Sequence, residues 1–190
     1  DDWQKIFDLN VFGVQRMNRA VLPHMRQRKS GLIIHVSSLL GRFCLPFFGP
    51  YNASKHALEA MADNYRVELS GSGIESVIVE PGGFGTDFHI SVVSAGDATR
   101  AETYGEFARA PQQQIEAFAK NFESDNAPDP QMVADAILKV VEAPRGQRPF
   151  RTVVDGLGMA GPIEQYNQAA DQTVSSIYTA IGMDQMLKVQ

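Results

Sequence analysis

The sequence predicts an α/β fold built on a parallel sheet, and three observations carry that reading. Short apolar, β-branched runs at 32–37, 74–80 and 151–155 read as strands buried on both faces, the pattern of parallel strands. Segments of helical periodicity precede the first run and separate the others,. Strand–helix–strand–helix–strand alternation then calls for right-handed crossovers within one sheet. With 190 residues, 44% of them hydrophobic and 21% charged, the chain is long enough for one domain with a real core. It shows neither repeats nor a long low-complexity linker, so 1–190 reads as a single domain.

Trp3, Phe7, Asn10, Val14, Met17 and Val21 alternate spacings of four and three, which places them on one helix face. Asp1 and Asp2 stand at the end where negative charge is favoured, and Arg26, Arg28 and Lys29 at the other,. Ser30-Gly31 ends that helix, and Leu32 to Ser37 is the first strand. A loop from Leu39 to Pro50 leads to a helix over Tyr51 to Leu69. Its Ala53, Ala57 and Ala60 form a small-residue side that lets another helix approach. Gly71-Ser72-Gly73 ends it, and the second strand, Ile74 to Glu80, is cut by Pro81-Gly82-Gly83. Residues 87–127 read as an irregular excursion, with a helix near Gln112 to Phe122. Asp129-Pro130 sets an N-cap before an N1 proline,. The helix Pro130 to Glu142 follows, with Val133, Ile137, Val140 and Val141 inward, then the strand Arg151 to Asp155 and a helical tail over 157–190.

Composition excludes several classes. A net charge of -5 argues against nucleic acid or an anionic membrane as partner,. No apolar run is long enough to span a bilayer, and no basic n-region followed by an apolar h-region opens the chain. Cys44, the lone cysteine, has no internal disulfide partner, which fits a reducing compartment and a cytoplasmic location. His24, His35, His56 and His89 have no ligand-like spacing, so no metal site is expected.

Ligands of such sheets bind beyond the C-terminal ends of the strands, where the loops beginning at Ser37 and Pro81 lie. Tyr51 and Lys55 are four apart on a helix and share a face,. A nearby ammonium favours a phenolate, and such a pair can exchange a proton with an alcohol or carbonyl oxygen. Alone, the spacing equally describes a surface tyrosine beside a solvated lysine. Ser38 stands at a strand end 13 residues before Tyr51, where its hydroxyl could meet a substrate oxygen as charge develops. A serine there also satisfies backbone groups, and Ser37 is an equal candidate from local chemistry. Asn10 interrupts an apolar stripe, so it needs a hydrogen-bonding partner.

Asn10-Val11-Phe12-Gly13, Val36-Ser37-Ser38, Tyr51-Asn52-Ala53-Ser54-Lys55 and Pro81-Gly82-Gly83-Phe84-Gly85-Thr86 occur in the order and spacing of the short-chain dehydrogenase/reductase family. The chain resembles the C-terminal, catalytic portion of that family over residues 1–156, in the wording of its 17β-hydroxysteroid and retinol dehydrogenase branch. The resemblance implies a Rossmann-type doubly wound parallel sheet, with 87–127 as the substrate-loop excursion. It also implies a nicotinamide cofactor, NAD or NADP, and a small-molecule alcohol or carbonyl substrate of fairly apolar character. Tyr51 is then the general acid/base. Lys55 lowers its pKa and binds the nicotinamide ribose, and Ser38 polarises the substrate oxygen. Asn10 kinks its helix and holds a relay water. Pro81 and Gly82 lie against the nicotinamide, while the backbone of Phe84 and the hydroxyl of Thr86 hold its carboxamide. The helices at 1–29 and 51–70 are implied to pair with their copies in a homodimer or homotetramer.

The family's glycine-rich dinucleotide fingerprint is not found in the sequence. Gly156-Leu157-Gly158-Met159-Ala160-Gly161 has the glycine spacing, but it follows the last strand and leads to no second strand with an acidic residue. Asp1-Asp2-Trp3 opens directly on a helical pattern without a methionine, which leaves two expectations: an N-terminal nucleotide-binding half upstream, or a three-stranded sheet with an exposed edge and poor cofactor affinity. The choice between NAD and NADP would lie in that half. The rival reading is a non-catalytic subunit or interaction protein on the same fold, lacking a complete cofactor site.

Overall fold

In the computed structural model, which describes residues 2–88, 92, 96–122 and 127–190, the first helical pattern forms three segments. α1 (Asp2–Phe7) passes into a π-helical turn over Asp8–Gly13, and α2 (Val14–Gln27) continues from it. A π turn bonds i to i+5 rather than i+4, so a stripe drawn at one constant period loses phase across it. Past the turn the buried position is Asn18, and Leu22 and Met25 pack on the core. Trp3, Met17 and Val21, expected inward, are 51%, 65% and 37% exposed. Asp1 and His89 lie outside the described residues.

The remaining main elements are β1 (Gly31–Val36), α3 (Gly49–Leu69), β2 (Ile74–Pro81), α4 (Ala110–Ala119), α5 (Gln131–Glu142), β3 (Arg151–Val154) and α6 (Ala160–Ala180). Each strand lies within a residue of its expected bounds at either end. The sheet order is β1-β2-β3, all parallel, with Gly31 opposite Ile74 and Ile78 opposite Arg151.

Both faces of the sheet are covered, which makes it a doubly wound, Rossmann-type α/β sheet. On one face Ile33, Leu69 and Ile74 form a buried cluster with Leu22, Met25 and Tyr65 against it, and Ala62 of α3 packs with Ile78 and Phe150. Ser76 Oγ donates to the Ala62 carbonyl at 3.1 Å on the same side. On the other face Glu75 accepts from the Gly146 N–H at 3.0 Å and pairs with Arg148, whose Nε donates to the Val140 carbonyl of α5 at 2.9 Å. α3 and α5 therefore flank β2 from opposite sides while the sheet order runs straight on. The two crossovers wind in opposite senses, so the expectation of right-handed crossovers throughout fails for one of them.

Asp129 caps α5: its Oδ1 accepts from the Gln131 N–H at 2.8 Å, leaving Pro130 at the helix entry, where its missing donor costs nothing. Val140 is buried and Val133 and Ile137 are half-buried, whereas Val141, expected inward, is 49% exposed. Within 87–127 the described segments are more regular than expected. A 3-10 stretch spans Ala98–Arg109, α4 follows, and a 3-10 turn covers Lys120–Phe122. Among the described residues no helix is long and apolar enough to cross a membrane.

Candidate active site

The site is built where β1 runs out. The Ser37 N–H donates to the Val79 carbonyl at 2.8 Å, carrying the parallel register one residue beyond Val36. Ser38 is extended, and its Oγ accepts from the Leu40 N–H at 3.1 Å, capping the 3-10 turn Leu39–Gly41. The chain then returns through Phe47, whose φ of 69° is in the left-handed region, a conformation that strains a residue with a Cβ. Pro50 presets the first turn of α3,, and Tyr51 stands in that turn with Lys55 one turn further on.

The Ser38 side chain is close enough to the Tyr51 phenol to favour its ionised form. Lys55 Nζ lies 5.6 Å from the centre of the Tyr51 ring and donates to the Val36 carbonyl at 3.1 Å. Burial raises the Tyr51 pKa and the Ser38 contact lowers it, with a net upward shift. Burial also brings Lys55 down to about 8, opposed by the Glu59 carboxylate. At neutral pH the phenol therefore holds its proton, and the ammonium beside it sits within reach of deprotonation. Of the two candidate serines, Ser38 is the one at the phenol. Ser37 Oγ is buried without a hydrogen-bond partner among the described residues.

Asn10, in the π turn, donates from Nδ2 to Ser54 Oγ at 3.0 Å, and Ser54 Oγ donates to the Tyr51 carbonyl at 2.8 Å. Asn10 thus reaches the backbone of Tyr51 through one hydroxyl. Ser54, fully buried, was not singled out from the sequence. Its signal was a small polar residue between Tyr51 and Lys55 on a helix whose inner side is otherwise packed.

The second loop starts as β2 ends. The Gly82 N–H donates to the Val154 carbonyl at 2.7 Å, and a Cβ on Gly82 would run into Asp155. A Cβ on Gly83 would lie 2.6 Å from Phe118, so both glycines are needed for close approach. The Thr86 N–H donates to the Phe84 carbonyl at 2.9 Å. Thr86 Oγ1 accepts from the Phe88 N–H at 3.3 Å, and the Phe88 ring stands edge-on to Tyr51 with centroids 5.4 Å apart. Phe88 therefore joins the Pro81–Thr86 turn to the Tyr51 group. Phe47 packs on Phe107 at 5.7 Å, adding aromatic surface on the Tyr51 side. A hollow of about 970 Å³ lined by Arg66, Arg151, Asn167 and Asp171 lies between β3 and α6, and none of Ser38, Tyr51 or Lys55 lines it.

A cluster unread from the sequence lies beneath the trio. Arg42, Glu59, Glu80 and Arg151 are all buried or nearly so and face one another. Burial, then the Glu59 carboxylate, raises Glu80 to about 7. The sequence signal was Glu80 itself, a charge at the end of the apolar run Val77-Ile78-Val79.

A family profile described as short chain dehydrogenase matches residues 1–97. The chain is 34% identical over 146 residues to the uncharacterized oxidoreductase YusZ of Bacillus subtilis (strain 168), covering 74% of this chain and 49% of the relative. It is 35% identical over 152 residues to a 3-ketodihydrosphingosine reductase of Bacteroides thetaiotaomicron, covering 78% and 52%. A short chain dehydrogenase from Burkholderia cenocepacia J2315, solved in complex with NADP, aligns with a TM-score of 0.53 at 26% identity, over 90% of this chain and 57% of that one. The chain spans about half the length of these curated relatives.

Proposed function

The chain belongs to the short-chain dehydrogenase family, and from that premise we propose that it is the catalytic portion of an NAD(P)-dependent oxidoreductase acting on a secondary alcohol or ketone. The observation that carries this reading is the approach of the Ser38 side chain and the Lys55 ammonium to the Tyr51 phenol, at the C-terminal edge of a parallel sheet. That edge is where an α/β sheet takes its ligand.

The residues present fit the nicotinamide end of NAD or NADP. Among the described residues the one acceptor of Lys55 Nζ is the Val36 carbonyl, which leaves donors for ribose hydroxyls. The Pro81–Gly82 turn and the Phe84–Thr86 segment begin at the end of the neighbouring strand, where nicotinamide and its carboxamide would lie. The cofactor, when bound, supplies or accepts the hydride.

This chain's residues manage the proton and the geometry. Tyr51, protonated at neutral pH, donates to the carbonyl oxygen in reduction; in oxidation it must first give up its own proton, and the phenolate then takes the proton of the alcohol. Ser38 holds the same oxygen and stabilises the charge that develops on it. Lys55 favours the phenolate as the proton leaves, and Asn10 fixes the first turn of α3 through Ser54. The aromatic surface of Phe88, Phe47 and Phe107 favours a substrate with an apolar body. The 3-ketodihydrosphingosine reductase named above is in keeping with that class. The exposed side chains Leu9, Phe12, Met17 and Val21 along α1–α2 fit pairing with a second copy in a homodimer or homotetramer.

The test is Tyr51→Phe in the whole protein. Turnover of apolar ketones should be lost, while quenching by NADH or NADPH shows cofactor binding retained. Near-normal turnover in that variant removes the mechanism.

A further inference from the structure

Tyr51, Lys55 and Glu59 follow one another at intervals of four along α3, so they form one stripe. The first two carry the chemistry proposed above. The third points into the protein, 3% exposed, and meets the turn that follows Ser38. A Cβ on Gly41 would lie 2.8 Å from Ser37 Oγ and 3.0 Å from Glu59 Cγ, so the turn and the carboxylate are in as close contact as glycine allows.

Arg42 is the next residue. Its Nη1 lies 3.8 Å from Glu59 Oε2 and its Nε 3.7 Å from Glu80 Oε1, with 10% of its side chain exposed. The guanidinium lies 4.6 Å from the centre of the Tyr166 ring on α6. The same two oxygens are also met by Arg151, whose Nε lies 3.2 Å from Glu59 Oε2 and 3.5 Å from Glu80 Oε1. Arg151 is in turn fixed by Asp63 and Asp171, each at 3.0 Å, and Glu80 Oε2 accepts from Asn167 at 2.6 Å. α3, β2, β3 and α6 therefore meet at one charge cluster, and among the described residues Arg42 is the charged side chain that the loop leaving Ser38 contributes to it.

Burying four ionisable groups is a poor way to gain stability. Well-packed apolar side chains of the same volume serve as well or better. What the cluster provides is a direction: Arg42 stands 3.7–3.8 Å from both carboxylates, an ion pair without a hydrogen bond, and it can keep that place only with the Leu39–Gly41 turn pressed against α3, the turn that begins with Ser38.

Resting on the reading of Tyr51 and Ser38 given above, we propose that Arg42 and Glu59 are positioning residues, a buried ionic clamp that holds the Ser38 turn against α3 and so sets the contact between the Ser38 hydroxyl and the Tyr51 phenol. Neither touches the substrate; they act through Ser38.

The test compares Arg42→Met and Arg42→Lys in the whole protein. The ionisation of Tyr51 is read by ultraviolet difference titration against the same variant carrying Tyr51→Phe. With Arg42→Met, Tyr51 should ionise at higher pH, because the contact with Ser38 that lowers its pKa is loosened. The kcat should fall by about 10- to 100-fold, as expected for a small misplacement at a reacting group, with cofactor affinity within about twofold of the parent. Arg42→Lys, whose single ammonium cannot span both carboxylates, should fall between the two. If Arg42→Met does not fold, Arg42→Lys, which keeps the buried charge, decides by the same criteria. A Tyr51 titration and kcat unchanged from the parent, with only a lower melting temperature, overturns the proposal and leaves the clamp a purely structural feature. If the parent protein turns over no substrate, the oxidoreductase reading falls, and the Tyr51 titration alone still decides whether Arg42 sets the contact.

Discussion

Lys55 Nζ donates to the carbonyl of Val36 at 3.1 Å, tying the helix that carries the phenol to the last residue of β1. The bond anchors the ammonium at the strand end, but burial still works against its charge and holds its pKa at about 8.

Between about 8 and the ordinary lysine value the unfolded chain binds a proton that the folded protein does not. Charged Lys55 therefore costs stability below pH 8, and that cost is relieved as pH rises through this window. Lys55→Met should melt at or above the parent temperature at pH 7 while turnover falls by about 100-fold or more. In the parent, turnover should decline above pH 8 as the ammonium is lost. Thermal melts and a pH–rate profile check both statements. A large drop in melting temperature would show that the Val36 bond outweighs the desolvation.

His35 offers a stability switch away from the site. It is 3% exposed, stacks on Tyr65 with ring centroids 6.1 Å apart, and lies 3.1 Å through Nε2 from Ser76 Oγ. Ser76 gives its own proton to Ala62, so Nε2 is the donor to Ser76. Burial lowers the His35 pKa to about 4. Between pH 6.5 and 4 the unfolded chain takes up a proton that the folded one refuses, so stability is lost as pH falls, by up to about 3 kcal/mol. Urea unfolding of the parent and of His35→Asn across this range should differ in slope, the variant being flatter. Parallel curves would mean that His35 is not held neutral.

Asn10 should matter to both stability and rate. Asn10→Leu removes the donor to Ser54 while leaving Ser54 bonded to the Tyr51 carbonyl. The expected cost is about 1–2 kcal/mol in urea unfolding, with turnover lowered by about tenfold through loosening of the first turn of α3. Unchanged turnover alongside the stability loss would confine Asn10 to a structural role.

The strands were legible because each is a short, two-sided apolar run, a pattern that survives any packing. Tyr51, Lys55 and Ser38 were singled out by the family resemblance, because spacing and strand-end position alone left a surface tyrosine and Ser37 as equal alternatives. The helix ahead of β1 was read correctly as a helix, but its inner face was misjudged. A single 3.6-residue period was drawn through Asn10, where the structure changes to a π turn, and this sent Met17 and Val21 outward and Asn18 inward. Val141 was misplaced for a simpler reason: an apolar residue on the flank of a stripe is indistinguishable by type from one on its centre line. The Arg42–Glu59–Glu80–Arg151 cluster was illegible because its partners lie far apart in the chain, Arg151 bonding to Glu59 across 92 positions. No local window contains both ends of such a pair.

The π turn over Asp8–Gly13 lets this helix carry one residue more than its length needs. The wider i to i+5 turn absorbs that residue, so removing one from the stretch and letting it close as ordinary α-helix should leave both flanking segments nearly in place. Trp3 and Phe7, now stacked 6.1 Å apart, would keep their side of the rod. What the deletion takes away is the bulge itself, and with it the reach of Asn10 to Ser54.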